Sequence, residues 1–277
     1  MKRLVRLPGG EEVPALGLGT WMMAEDRRKR SGELAALREG IERGMTLIDT
    51  AEMYGDGASE ALVGEAIAGR RDEVFLVSKA YPQNSGRTGL PRACDASLGR
   101  LKTDRLDLYL LHWRGSVPLA ETVEAMERLR EAGKIRHWGV SNFDSDDMEE
   151  LAAAGGGACA TNQILYNLGR RGAEFDLFPA QARSKIPFMA YSPIEQGRLK
   201  VAGALAAIAA AHGATPFQVA LAWILRRPDV IAIPKAGNAA HVIENHGALA
   251  LTLTAQDLAT LDAAFPPPRR KIPLAML

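Results

Sequence analysis

The sequence predicts an α/β fold, a (β/α)8 (TIM) barrel with an N-terminal β-hairpin and a short C-terminal tail over the barrel mouth. Three observations predict it. Eight short apolar runs alternate with segments of helical period along 277 residues. One such unit per roughly 35 residues suits a closed barrel better than an open sheet, and single helices between strands make the sheet parallel. Most of the runs also end in an ionisable or hydrogen-bonding residue, as in a barrel whose chemistry sits at the C-terminal ends of its strands.

Residues 3–7 and Glu12-Val13 flank the turn-forming cluster Pro8-Gly9-Gly10 and predict the hairpin. The barrel strands are predicted at residues 15–19, 46–48, 74–78, 106–111, 135–140, 162–164, 187–190 and 230–233. Helix signals lie between them. Over residues 118–132, Leu119, Val123, Met126 and Leu129 share one face, and Gly133 stands where a C-terminal cap belongs. Thr215-Pro216-Phe217-Gln218 joins an N-cap, a proline at the first helical position and a capping-box glutamine. Thr254-Ala255-Gln256-Asp257 opens another helix by similar logic. Residues 152–158 read as a small-residue loop, and residues 266–277 as a proline-rich basic tail packing over one barrel end. No linker or charge block divides the chain, so residues 1–277 are expected to form a single domain.

Composition narrows the partners. With 34 basic and 33 acidic residues, the net charge of +1 gives no electrostatic reason for a nucleic-acid or membrane-surface partner. The N-terminus carries charges but no apolar core, so no signal peptide is expected. The most apolar stretch, residues 201–211, is too short to span a bilayer. Cys94 and Cys159 form no disulfide framework and read as buried small hydrophobes, which suits a reducing cytoplasm.

The chemistry is sought at the strand ends. Asp49, Lys79 and His112 close the second, third and fourth runs; Ser141-Asn142 follow the fifth, and Gln163 lies on the sixth. Tyr191-Ser192 follow the seventh run and Lys235 the eighth. Any one of these could be a satisfied structural group, but so many aimed at one mouth point to use. Asp49, Lys79 and His112 are expected to form an ion-paired, hydrogen-bonded cluster within reach of Tyr54. A phenol titrates near ~10, and the Lys79 ammonium is expected to lower that value. His112 could donate to a carbonyl oxygen or help relay its proton. A tuned phenol beside a carbonyl, without a nucleophile or metal, suits hydride transfer from a nicotinamide. Trp21, Met22, Tyr54, His112, Trp113 and the tail are candidates to line an apolar pocket for small or aromatic aldehydes. For the tryptophans, barrel-rim packing is the plainer alternative.

The residues then resemble those of the aldo-keto reductase family along nearly the whole chain. Gly17-Leu18-Gly19-Thr20-Trp21 is similar to the family's first strand, and Asp49-Thr50-Ala51-Glu52-Met53-Tyr54-Gly55 with Ser59-Glu60 and Val63-Gly64 to its best-known signature. Leu110-Leu111-His112-Trp113, Gly139-Val140-Ser141-Asn142-Phe143, Asn162-Gln163, Tyr191-Ser192-Pro193, Ile233-Pro234-Lys235 and Glu244-Asn245 follow in the family's order. The resemblance implies a catalytic tetrad of Asp49, Tyr54, Lys79 and His112, with Tyr54 as general acid. It implies an NADPH/NADP+ site drawn from Thr20, Trp21, Asp49, Ser141, Asn142, Gln163, Tyr191, Ser192, Pro193, Lys235, Ala236, His241, Glu244 and Asn245. In it, Ser141, Asn142 and Gln163 would hold the carboxamide, Tyr191 stack on the ring, Lys235 meet the 2′-phosphate, and Glu244 and Asn245 the adenine. Two positions depart from the pattern: Ala236 stands where Ser or Thr is usual, and His241 where Arg is usual. A histidine cannot reproduce a bidentate guanidinium contact, so NADH use is also implied as possible. Residues 163–172 look closest to bacterial members that reduce small aldehydes such as methylglyoxal, and family members are often monomers.

Four rival readings fit the sequence less well. A metal hydrolase lacks support because the five histidines show no ligand spacing. An aldolase would use Lys79 as a Schiff-base amine, and a regulatory subunit would bind the nucleotide with little turnover. A Rossmann dehydrogenase fails because Gly17-x-Gly19 is followed by Met22, with no helix opening there.

Overall fold

The hairpin forms where the Pro-Gly-Gly cluster reverses the chain. In the computed structural model, which describes residues 3–201 and 203–277, β1 (Leu4–Arg6) pairs antiparallel with β2 (Glu12–Pro14), placing Val5 opposite Val13. Glu11 of its turn pairs with Arg136 and His137 at the start of a barrel strand, so the hairpin sits at the strands' N-terminal end.

Eight parallel strands follow: β3 (Leu18–Gly19), β4 (Leu47–Asp49), β5 (Phe75–Ala80), β6 (Leu106–Leu111), β7 (Ile135–Ser141), β8 (Cys159–Leu165), β9 (Phe188–Tyr191) and β10 (Val230–Ala232). Each pairs with its sequence neighbour. The sheet closes on itself through bridges Leu16–Ala232 and Gly19–Lys235, with Gly17 and Gly19 N–H donating to the carbonyls of Ala232 and Pro234 at 2.8 and 3.0 Å. β5, β6 and β8 are buried along their whole length, as strands covered on both faces must be. The run at 15–19 is shorter as a ladder than expected, because most of it serves the closure.

The covering helices are α1 (Arg30–Glu42), α2 (Ala58–Ala66), α3 (Gly89–Leu101), α4 (Leu119–Glu131), α5 (Ser145–Ala153), α6 (Leu177–Ser184), α7 (Ala204–Ala211), α8 (Pro216–Leu225), α9 (Ala239–Gly247) and α10 (Ala255–Ala264). α8 and α10 open on the expected capping boxes, Thr215–Gln218 and Thr254–Asp257. α4 ends as expected at Gly133, whose φ of +72° lets the Lys134 N–H reach back to the Leu129 carbonyl. Residue 202, within the apolar stretch 201–211, lies outside the described residues, as do Met1 and Lys2. Among the described residues, no single helix is long and apolar enough to cross a membrane.

The tail crosses the opposite end from the hairpin. Lys271 pairs with Asp146 on α5 at 2.9 Å, Leu274 packs on the core, and Met276 and Leu277 reach the mouth.

Candidate active site

Strand polarity places the ends of β4 to β9 around one mouth, and a cleft of about 690 Å³ opens there. Asp49 ends β4, and the chain then turns tightly through Tyr54–Gly57, with Gly55 and Asp56 both left-handed. Ser59 secures that turn by donating to Thr20 Oγ1 at 2.8 Å, while Thr20 donates to the Asp49 carbonyl at 2.9 Å. The Glu60 carboxylate, fully buried, is met by Ser78 and Arg100. The Ser-Glu pair of the signature is therefore a brace under the site.

The turn brings three ionisable groups into one line. Lys79 Nζ donates to Asp49 Oδ2 at 2.7 Å, to the Thr50 carbonyl at 2.9 Å and to Tyr54 Oη at 3.1 Å. Asp49 Oδ1 also accepts from Gln163 Nε2 at 2.7 Å. Burial alone would lower the Lys79 value, but Asp49 and Tyr54 outweigh it and the net shift is upward. Lys79 is thus a held ammonium; it is fully buried and does not line the cleft. That corrects the aldolase alternative, which needs a neutral amine open to the substrate.

Two further expectations are corrected. Burial raises the Tyr54 phenol above its ordinary value, and the Lys79 charge offsets only part of that. The phenol stays protonated at neutral pH instead of being pulled down. His112 also stands outside the hydrogen-bonded cluster. Its imidazole packs edge-on to Tyr54, 5.8 Å between centroids, and against Trp113 at 4.9 Å. Its Nδ1 has no partner among the described residues. Burial and the Lys79 charge push its pKa down to about 3, so the ring is neutral.

The remaining residues sit where the strand ends put them. Ser141 lies opposite Gln163 and donates to its carbonyl at 2.8 Å. Asn142, at φ +60°, donates to the His112 carbonyl and accepts from Tyr191 Oη at 2.9 Å. Ser141, Asn142, Gln163, Tyr191, Ser192 and Pro193 all line the cleft, as do Thr20, Trp21, Trp113, Lys235, His241, Glu244 and Asn245. Ala236 is buried and does not. The Gln163 amide nitrogen is already engaged by Asp49, and Glu244 accepts from Thr215 at 2.6 Å. Each therefore belongs to the protein's own network as well as to the cleft wall.

Met53, Phe217, Ile194, Gln196 and Arg198 also line the cleft, and sequence reading missed them. The last three lie within the five residues after Tyr191-Ser192-Pro193, and that position beyond a strand end is their signal in the sequence. Glu52 was missed as well. It accepts from the Tyr81 N–H and from Asn84, fixing the loop whose Tyr81 packs edge-on against Trp113.

The lining fits a nicotinamide dinucleotide. The hydroxyl and amide side chains of Ser141, Asn142 and Gln163 and an aromatic side chain, Tyr191, line the cleft together with the phenol, and Lys235 and Arg198 bring positive charge to its wall. Among the described residues no group of three His, Cys, Asp or Glu is placed to hold a metal ion.

Comparison with known proteins agrees with this geometry. The model of the Aldo/keto reductase family matches residues 15–265. The chain is 52% identical over 282 residues to methylglyoxal reductase YeaE of Escherichia coli K12, covering 100% of this chain and 99% of the relative. An aldo/keto reductase of Klebsiella pneumoniae, solved with NADP and acetate, superposes with a TM-score of 0.97 at 52% identity over 100% of both chains. The Klebsiella pneumoniae aldo-keto reductase solved with NADPH gives the same values.

Proposed function

The chain belongs to the aldo/keto reductase family, and from that premise we propose that it reduces small aldehydes and ketones, methylglyoxal among them, at the expense of NADPH. We take it to act as a single-domain monomer in the cytoplasm, with no nucleic-acid or membrane partner. The observation that carries the reading is the line Asp49–Lys79–Tyr54 ending on the cleft.

NADPH, when bound, supplies the hydride. Tyr54 gives its phenolic proton to the carbonyl oxygen as the carbonyl carbon is reduced, which requires the protonated form that burial secures. Lys79, held charged, stabilises the phenolate left behind. Asp49 keeps that ammonium in place, and Gln163 keeps Asp49 in place. His112, neutral, offers a ring nitrogen to the carbonyl oxygen without competing as a charged acid. Ser141, Asn142 and Tyr191 orient the nicotinamide, and Lys235 the 2′-phosphate. Trp21, Met22, Trp113 and Met276 make an apolar rim that excludes water from the reacting carbonyl.

Tryptophan-fluorescence titration with NADPH, followed by absorbance turnover with methylglyoxal and an aldehyde panel, tests the proposal. Saturable binding with aldehyde-dependent oxidation is expected. Binding without turnover on any aldehyde would leave a nucleotide-binding regulatory subunit instead.

A further inference from the structure

We propose that Met22, Met53 and Met276 form an oxidation site at the cleft mouth, where a hydroperoxide converts thioethers to sulfoxides and turns the enzyme away from apolar aldehydes. This rests on the reductase reading above. Among the described residues three methionines are exposed, Met22 at 52%, Met53 at 36% and Met276 at 56%. All three line the cleft, although they come from the loop after β3, the loop after β4 and the tail. Met23, Met45, Met126 and Met189 are buried in the core, and Met148 is half-buried against it.

The backbone gives adjacent methionines opposite fates. Met22 stands at φ +60°, a left-handed value that long side chains rarely take. The Met23 N–H donates to the Thr20 carbonyl at 3.0 Å, and the Ala24 N–H to buried Glu33 at 2.8 Å. These contacts hold the loop in the shape that buries Met23 and leaves Met22 over the cleft. Met53 is fixed beside the proton donor: the Tyr54 N–H donates to the Ala51 carbonyl at 3.1 Å, and the Asp56 N–H to the Met53 carbonyl at 3.3 Å. Met276 follows the points where Lys271 pairs with Asp146 and Leu274 packs on the core.

Peroxide meets little competition from the cysteines. A cysteine reacts as its thiolate, but Cys94 and Cys159 are buried, and burial pushes both thiols up to about 12. An exposed thioether needs no deprotonation. Its sulfur takes the outer oxygen of the hydroperoxide: the O–O bond breaks as an S–O bond forms, and the hydrogen on the transferred oxygen passes to the oxygen left behind. Sulfur is oxidised by two electrons, and the peroxide is reduced to an alcohol, or to water where hydrogen peroxide is the oxidant. A sulfoxide is a strong hydrogen-bond acceptor, so an apolar substrate must strip its water before lying against the rim. Methylglyoxal, with three carbons and two carbonyls, presents little apolar surface there and is affected less. Asp49, Lys79 and Tyr54 are buried and keep their contacts.

The test treats the full-length protein with hydrogen peroxide and follows the oxygen gained at each methionine by peptide mass spectrometry. In parallel, kcat/KM is measured for benzaldehyde and for methylglyoxal. Oxidation of Met22, Met53 and Met276 ahead of the core methionines is expected. With it, kcat/KM for benzaldehyde should fall about tenfold relative to that for methylglyoxal. Methionine sulfoxide reductases for both epimers should restore the original ratio. In a variant carrying Met22→Leu, Met53→Leu and Met276→Leu, a volume-conserving change, the ratio should be the same before and after peroxide. Core methionines oxidised first, an unchanged ratio in the oxidised wild type, or an equal fall in the leucine variant overturns the proposal while leaving the reductase reading intact. Untreated protein that reduces no aldehyde overturns that reading, and the proposal with it.

Discussion

At the scale of single residues, the site is governed by which groups are kept charged and which are kept neutral. Tyr54→Phe removes the proton donor but keeps the ring against His112. Turnover should fall roughly 100- to 10,000-fold, the usual weight of a general acid, with NADPH affinity unchanged by titration; an unaltered kcat would remove Tyr54 from the role. The pH profile follows from the same burial. His112 loses its proton only near pH 3, so no histidine limb should cross the neutral range. Reduction needs the phenol protonated, and burial raises its value above 10.0. The profile of kcat/KM should therefore stay level from about pH 5 to about pH 9 and fall only in more alkaline solution. A break near pH 6.5 would show a titrating histidine. His112 has a stability counterpart: a depressed folded value means fewer protons bound in the native state. Its contribution is present above the unfolded value near ~6.5 and is lost as pH falls toward 3. The identity of these residues was legible from strand-end positions and motif order. Their electrostatics were not, because sequence spacing showed that Lys79 would sit near Tyr54 but could not show that burial outweighs it.

At the scale of elements, the nucleotide end of the cleft is built from pieces far apart in sequence. Lys235 follows β10, while His241 and Glu244 come from the first turns of α9. The cap of that helix was not read from the sequence, although its logic is simple: Asn238 accepts from the His241 N–H at 2.9 Å. The segment 192–198 beyond β9 was illegible for a physical reason. Three of its left-handed residues, Ser192, Glu195 and Gln196, are not the glycines that usually announce such a turn, and its shape depends on Asn167 and Arg170 from the loop after β8. Because His241 is exposed and its backbone is already capped, His241→Arg should leave the helix intact and add a fork beside Lys235. NADPH should then bind about tenfold more tightly, the value of one charge-assisted contact, with NADH unchanged. Equal tightening of both nucleotides would show that position 241 does not face the 2′-phosphate.

At the scale of the whole molecule, alternation of apolar runs and helix signals predicted eight strands in order, but the seam depends on contacts between the two ends of the sheet. β3 meets the chain beyond β10 more than two hundred residues later, where Gly19 bridges Lys235 and its N–H donates to the Pro234 carbonyl. A short glycine-rich strand reads poorly on its own, since its value lies in letting two backbones approach. A Cβ at Gly19 would stand 2.6 Å from the Ile233 carbonyl oxygen, a backbone atom that cannot swing aside as a side chain can. The seam therefore joins stability to function, because pushing β10 outward also displaces Lys235. Gly19→Ala should cost about 1–3 kcal/mol as overpacking, lowering Tm by roughly 3–10 °C, and should weaken NADPH binding in the same variant. Gly99→Ala on α3 is the matched control: an added Cβ there meets nothing within 4 Å, so a helical alanine should be neutral or stabilising by up to about 1 kcal/mol. If Gly19→Ala melts with the wild type and binds NADPH as tightly, the barrel closes more loosely at this seam than its backbone contacts indicate. If it melts early but binds normally, the position of Lys235 is set by α9 and not by the closure.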